Sequence, residues 1–348
     1  TPSASAEIPA ETEDCKMKEV SEMEQNRQGS RILDRHAAFQ LMQTLEDVCI
    51  LIHRSPDGDC IGGGYALHRI LKNMGIRSRV VCADPIPSLY SAITDGVEFE
   101  EFTPKMYVSV DVADKKLFGE LPCEHQEKEV LFCIDHHGTN REYAENLLLE
   151  AEASAACEVL YYLMKDNGIP MTEEIATALY IGIATDTGCF QFSNAGAAAF
   201  EAVGEIKRLY PALPYARWNR ELFVLKSQGR LKLDIRLMQD IMISESGKTA
   251  LIYLPYQLVS QYQLSQHETD GVSNLPMQIL GVEIGITCKQ QEDGSYRVSL
   301  RGGEHADVSA VAAQFGGGGH VKASGCSVRE GTPEEVCAAL MAAAEASL

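Results

Sequence analysis

Val48-Cys-Ile-Leu-Ile52 runs straight into His53-Arg-Ser-Pro-Asp57-Gly-Asp59, and this stretch decides how the rest of the chain is read. Five apolar residues with no polar face suit a strand buried on both sides, as in a parallel sheet covered by helices. An imidazole and two carboxylates follow immediately. The next segment, Ile61 to Met74, is helix-like although it carries three glycines. A strand, a polar loop and a helix form the unit from which open α/β sheets build sites at their strand C-termini.

Working outward, the same arrangement recurs. Asp111 ends Tyr107-Val-Ser-Val110, Asp135-His136-His137 ends Val130-Leu-Phe-Cys-Ile134, and Asp186 lies in Ala184-Thr-Asp-Thr-Gly188. Each cluster alone has a plainer reading. His53 suits a satisfied core histidine, Asp57-Gly58 a turn, and Asp59 an N-cap; Asp111 suits a cap for a helix over Ala113–Phe118, and Asp186 a loop start. Four such clusters at strand or loop ends favour a shared role instead. Carboxylates and imidazoles without a thiolate set suit Mn²⁺, with Mg²⁺ or Co²⁺ as alternatives and Zn²⁺ less favoured. Two cations about 3.5–4 Å apart neutralise phosphoryl oxygens and supply a nucleophile at neutral pH, so a two-metal phosphoesterase is expected.

Composition agrees. With 348 residues, 45% hydrophobic and 23% charged, the chain can bury two domain cores. Its apolar runs are too short for a membrane span and its start does not read as a signal peptide. Eleven cysteines without a C-x-x-C pair suggest reduced thiols and a cytoplasmic location. Cys60 and Cys133 read as small buried hydrophobes. A formal charge of −20 argues against a long duplex-DNA partner, but not against a small phosphorylated substrate held through cations.

Residues 1–30 read as an acidic, disordered tail. Residues 31–205 read as an α/β domain with a mainly parallel sheet flanked by helices, residues 206–240 as a helical linker, and residues 241–348 as a smaller α/β domain with a central mixed sheet. In the first domain, helices are expected over Ile32–Leu45, Glu158–Lys165 and Thr172–Ala184, the last capped by Thr172. Strands are expected over Val48–His53, Ser78–Ala83, Tyr107–Val112 and Val130–Asp135. In the second, strands over Thr249–Leu254, Glu283–Lys289 and Tyr296–Arg301 are expected, with Asp293-Gly294 turning between the last two. Helices over Val308–Gln314 and Pro333–Ala344 flank Phe315-Gly-Gly-Gly-Gly319-His320. That glycine run suits either close backbone approach to a phosphate or base, or a flexible loop.

These motifs resemble the DHH phosphoesterase superfamily, whose triplet is Asp135-His136-His137. The second part resembles the DHH-associated domain, on Gly317-Gly-Gly-His320 and Val298-Ser-Leu-Arg301. The resemblance covers Ile32 to the C-terminus and points to the oligoribonuclease/pAp phosphatase branch, the nanoRNases. It implies two Mn²⁺ ions, the first bound by His53, Asp57 and Asp111, the second by Asp59, Asp111, His136 and Asp186. Asp111 would then bridge. His137 would act near the scissile phosphate, with Asp135 fixing a histidine tautomer. Arg301, Gly316, Gly317, Gly318, Gly319 and His320 would grip the nucleotide as the second domain closes. Expected partners are short single-stranded oligoribonucleotides, pAp or dinucleotides, with no membrane and with a homodimer as one candidate assembly. A cyclic-di-AMP or pApA phosphodiesterase is the nearest alternative, and an inactive nucleotide sensor a more distant one. Family members often carry Ser-Ser-Thr where this chain has Ala153-Ser-Ala-Ala-Cys-Glu158, which leaves only Ser154 for a hydroxyl contact.

Overall fold

The computed structural model describes residues 29–265, 268–269 and 271–348; most of the expected acidic tail therefore lies outside the described residues. The described residues divide into two compact units, one running to Val224 and the other beginning at Leu225.

The first unit is built on a six-stranded sheet of β1 (Arg31–Ile32), β2 (Val48–Leu51), β3 (Ser78–Val81), β4 (Met106–Val110), β5 (Phe132–Asp135) and β6 (Asn146–Leu149). Its order is β1-β6-β5-β4-β2-β3. Every pairing in it is parallel. The central strand β2 is covered on both faces and reads as an unbroken apolar run: Val48, Cys49, Ile50 and Leu51 are all buried. Each fully buried aliphatic side chain of this kind contributes about 1.5–3 kcal/mol. Strand order reverses between β2 and β4, whose neighbours β3 and β5 lie on opposite sides. That switch point opens a crevice beyond the strand C-termini.

The helices are α1 (Arg35–Met42), α2 (Gly58–Asn73), the short α3 (Ser91–Thr94), α4 (Ala156–Asp166), α5 (Glu173–Asp186), α6 (Ala197–Leu209) and α7 (Tyr215–Phe223). Thr172 caps α5 as expected, accepting from the Ile175 amide at 3.3 Å. The expected helix over Ile32–Leu45 is shorter, because Arg31 and Ile32 pair with β6 as an edge strand before Asp34 caps α1. Glycines in mid-helix cost about 1 kcal/mol each, yet α2 carries three in a row. A Cβ on Gly62 would fall 2.6 Å from the Ala178 carbonyl of α5, and one on Gly63 would fall 2.6 Å from Val110 Cγ1. The glycines let α2 lie directly against α5 and β4.

The second unit contains β7 (Met242–Ile243), β8 (Thr249–Leu254), β9 (Ile284–Gln290), β10 (Tyr296–Gly302), β11 (Gly318–His320) and β12 (Ala323–Val328), in the order β11-β12-β10-β9-β8-β7. β8 and β9 pair in parallel and the other pairs are antiparallel, which makes the mixed sheet that was expected. Its longer helices are α8 (Gln228–Gln239), α9 (Tyr256–Gln261), α10 (Val308–Gln314) and α11 (Pro333–Glu345). The hairpin between β9 and β10 turns at Gly294, whose φ is +84°. The stretch 206–240 holds the end of α6 and all of α7 and α8, and the division between units falls inside it.

Candidate metal centre

The polar clusters of the first unit meet at the C-terminal edge of its sheet. Asp57 caps α2, its Oδ1 accepting from the amides of Asp59 and Cys60, each at 3.1 Å. Asp59 is therefore not the cap. It is buried, and its two oxygens accept from the amides of Ala156 and Cys157 at 2.6 and 2.9 Å, where α4 begins. Nor does Asp111 cap a helix: Asp114 takes that role, accepting from the Lys116 amide at 2.9 Å. Asp111 follows β4 with φ +60°, a left-handed conformation that Asp tolerates better than most residues. Asp186 is the last residue of α5, not part of a loop.

Two histidines are fixed in the tautomer that a metal ligand needs. His53 Nδ1 donates to the Arg54 carbonyl at 2.8 Å, and His136 Nδ1 donates to the Ala153 carbonyl at 3.1 Å. A carbonyl only accepts, so in both neutral rings Nε2 keeps its lone pair. His53 Nε2 lies 3.6 Å from Asp57 Oδ1 and 3.7 Å from Asp111 Oδ2. His136 Nε2 lies 3.5 Å from Asp111 Oδ1, 3.7 Å from Asp186 Oδ2 and 3.9 Å from Asp59 Oδ2. His137 Nδ1 is 2.8 Å from Asp135 Oδ1, leaving its Nε2 free in the more exposed of the two adjacent rings. Asp135 is buried and also accepts from the His136 amide at 2.9 Å and from Asn140 Nδ2 at 2.6 Å.

The donor atoms form three groups, His53–Asp57–Cys60–Asp111, Asp111–His136–His137 and Asp59–His136–Asp186, each within 4.8 Å. Asp111 belongs to two of them. Its Oδ1 is buried without a hydrogen-bond partner among the described residues. An orphaned carboxylate oxygen inside a ring of carboxylates and imidazole lone pairs fits divalent cations, and the donor set is of the right chemistry.

Electrostatics describe what this cluster does without cations. Burial works against charge on His136, but Asp111, Asp59 and Asp186 outweigh it and push the imidazole up to about 10. Burial opposes the charge on His53 too, and Asp111 and Asp57 overcome it. Burial pushes the Asp186 carboxyl up to about 7, against the pull of His136 and with help from Asp111. Burial also raises Asp59, as do Asp111 and Asp186. Burial would raise Asp111, but His136 and His53 hold it below the usual carboxylate range. Imidazolium protons offset the carboxylates where cations otherwise would.

This has a sign that can be measured. Folded Asp186 keeps a proton between about pH 3.9 and about 7, and folded His136 between about 6.5 and about 10, where the unfolded chain has released it. The metal-free protein is therefore expected to lose stability as pH rises across that window. Divalent cations bound by these donors would displace the protons and reverse the trend. Thermal melts in EDTA at about pH 6 and about pH 9, repeated with Mn²⁺, check this. A metal-free melting temperature that rises with pH would contradict it.

Of the substrate-binding residues expected in the second unit, Arg301 lies near the end of β10, Gly318, Gly319 and His320 form β11, and Gly316 and Gly317 lie in the turn before it. Arg301 is half-buried, and Nη2 lies 3.4 Å from Ser273 Oγ. Burial lowers its pKa. The glycine run is not a free loop, because Gly318–His320 pairs with β12 as an edge strand. Gly319 has φ +143°, and a Cβ there would fall 2.7 Å from the Ala323 carbonyl. His320 is exposed.

Three contributors were not anticipated from the sequence. Asn140 supports Asp135, Asn194 donates to the Asp186 carbonyl at 3.1 Å, and the Ala153 carbonyl orients His136. No local pattern marks any of them. Ser154 is occupied structurally: its Oγ donates to the Asn194 carbonyl at 2.6 Å and accepts from the Gly196 amide at 3.2 Å.

Comparison with known proteins agrees with this architecture. Residues 47–183 match the DHH family, N-terminal domain, and residues 251–347 match the DHHA1 domain. A bifunctional oligoribonuclease and PAP phosphatase NrnA from Thermus thermophilus is 27% identical over 291 residues, covering 81% of this chain and 84% of the relative. Its namesake from Bacillus subtilis is 26% identical, covering 80% and 89% respectively. The solved structure of an exopolyphosphatase-related protein from Bacteroides fragilis shares the fold, with a TM-score of 0.78 at 21% identity over 90% of this chain and 95% of that one. No helix among the described residues is long and apolar enough to cross a membrane. The two matched domains take in most of the chain, which belongs to the DHH family of phosphoesterases and is a phosphoric ester hydrolase.

Proposed function

We propose that this protein hydrolyses short oligoribonucleotides to 5′-mononucleotides and pAp to AMP, using two divalent cations, with Mn²⁺ the favoured ion. The observation that carries the reading is the convergence of the donor groups on the partnerless Asp111 oxygen. The substrate class is supported by the relatives' names and by their coverage of most of this chain.

In this reading His53, Asp57 and Asp111 hold one cation, and Asp59, Asp111, His136 and Asp186 hold the other. When bound, the ions neutralise phosphoryl oxygens and activate water at neutral pH. The chain's own groups do the positioning. The Arg54 and Ala153 carbonyls aim Nε2 of His53 and His136. Asp135 holds Nδ1 of His137 at 2.8 Å, so His137 Nε2 is the group that contacts the phosphate and passes a proton to the leaving oxygen. Arg301 and Gly316–His320 are assigned to nucleotide binding.

Purified protein with Mn²⁺ should be offered pApA, a short RNA oligomer, pAp and cyclic-di-AMP in parallel. Release of mononucleotides from the linear RNAs and of phosphate from pAp is expected. Preference for the cyclic dinucleotide would overturn the substrate assignment. Inactivity on all four would overturn the functional reading.

A further inference from the structure

Cys60 reads from the sequence as a small buried hydrophobe, but its sulfur is placed among the donors of the first cation. Sγ lies within 4.8 Å of ligand atoms of His53, Asp57 and Asp111. The side chain is fully buried, and its thiol donates to the Asp57 carbonyl at 3.6 Å. The placement follows from the helix. Asp57 caps α2, so the third residue after it sits in the first turn beside the cap, held by the 3.1 Å bond from its own amide to Asp57 Oδ1.

The four donor atoms lie within 4.8 Å of one another, near enough for one cation to draw them together. Tetrahedral bonds of ordinary length to nitrogen, oxygen and sulfur set donor separations of about 3.3–3.6 Å. His53 Nε2 already lies 3.6 Å from Asp57 Oδ1 and 3.7 Å from Asp111 Oδ2. We propose that Cys60 is a fourth donor to the first cation, giving that half of the centre a preference for thiophilic divalent ions such as Zn²⁺ or Co²⁺. Coordination exchanges the thiol S–H bond for a sulfur–metal bond and releases the proton to solvent. The Asp59–His136–Asp186 group has no sulfur and remains suited to a hard ion such as Mn²⁺. This inference rests on the two-cation reading above and adds an asymmetry that the family-implied ligand set lacks.

The test is X-ray absorption at the zinc edge on the full-length protein, stripped of metal and reloaded with one equivalent of Zn²⁺. A sulfur scatterer at about 2.3 Å is expected. It should disappear in Cys60→Ser, with Zn²⁺ affinity falling about 10- to 100-fold and Mn²⁺ affinity falling less than that of Zn²⁺. Zinc held by nitrogen and oxygen alone in the wild type, or sulfur persisting in Cys60→Ser, would overturn the role of Cys60 while the centre stands. A spectrum and affinity unaffected by His53→Ala would overturn the site itself.

Discussion

Asp111→Ala is expected to reduce phosphoesterase activity by at least about a thousandfold while the protein remains folded. Asp111 is common to two donor groups, so its loss removes a ligand from both proposed cations at once. The fold is expected to survive because Asp111 follows β4 and is no part of the apolar core. Its charge helps raise Asp59 and Asp186 and also holds protons on His53 and His136, so its loss removes repulsion and attraction together. One local cost remains, because Asp111 has φ +60° and alanine tolerates this region less well. Asp111→Asn avoids that cost and should be comparably inactive, since it removes the charge that the cations need. Rates at saturating Mn²⁺, with circular dichroism for the fold, check both variants. Activity within about tenfold of wild type in either would contradict the shared-ligand assignment.

The second large effect is structural. Gly182→Ala puts a methyl 2.2 Å from Cys157 Sγ and 2.9 Å from Asp59 Oδ1. Neither neighbour can move freely: Cys157 is fully buried, and Asp59 is tied to the amides at the start of α4. Helices α4 and α5 must separate or Asp59 must leave its place. Overpacking of this kind costs about 1–3 kcal/mol, equivalent to a melting-temperature drop of about 2–12 °C for a domain of this size. Because Asp59 is a proposed ligand, Mn²⁺ affinity should fall as well. Calorimetric melting with and without Mn²⁺ separates the two effects. A wild-type melting temperature with wild-type metal affinity would show that the close approach at Gly182 is not as described.

Much of this centre was legible because a parallel sheet buried on both faces leaves strands as continuous apolar runs. The apolar runs that hold β2, β4 and β5 give way to His53, Asp111 and Asp135 respectively. What escaped reading depends on contacts distant in sequence. Asp59 looks like a helix cap until the amides of Ala156 and Cys157, nearly a hundred residues on, are brought to it. β12 was not anticipated because Ala323-Ser-Gly-Cys-Ser-Val328 has weak strand preference. It is held as a strand by pairing with β10 on one side and β11 on the other. The glycine run likewise looks mobile in isolation, and its second half, Gly318–His320 with the histidine, becomes an edge strand only by pairing with β12. The assignment of Cys60 turned on the cap geometry of Asp57, which residue type alone did not reveal.

The central claim is that Asp111 is shared by two cations at the switch point of the parallel sheet. Crystals grown with Mn²⁺ and measured at the manganese absorption edge test it most directly. Two anomalous peaks about 3.5–4 Å apart are predicted. One should lie beside His53 and Asp57, the other beside Asp59, His136 and Asp186, with Asp111 between them. A single peak, or peaks away from Asp111, would contradict the account.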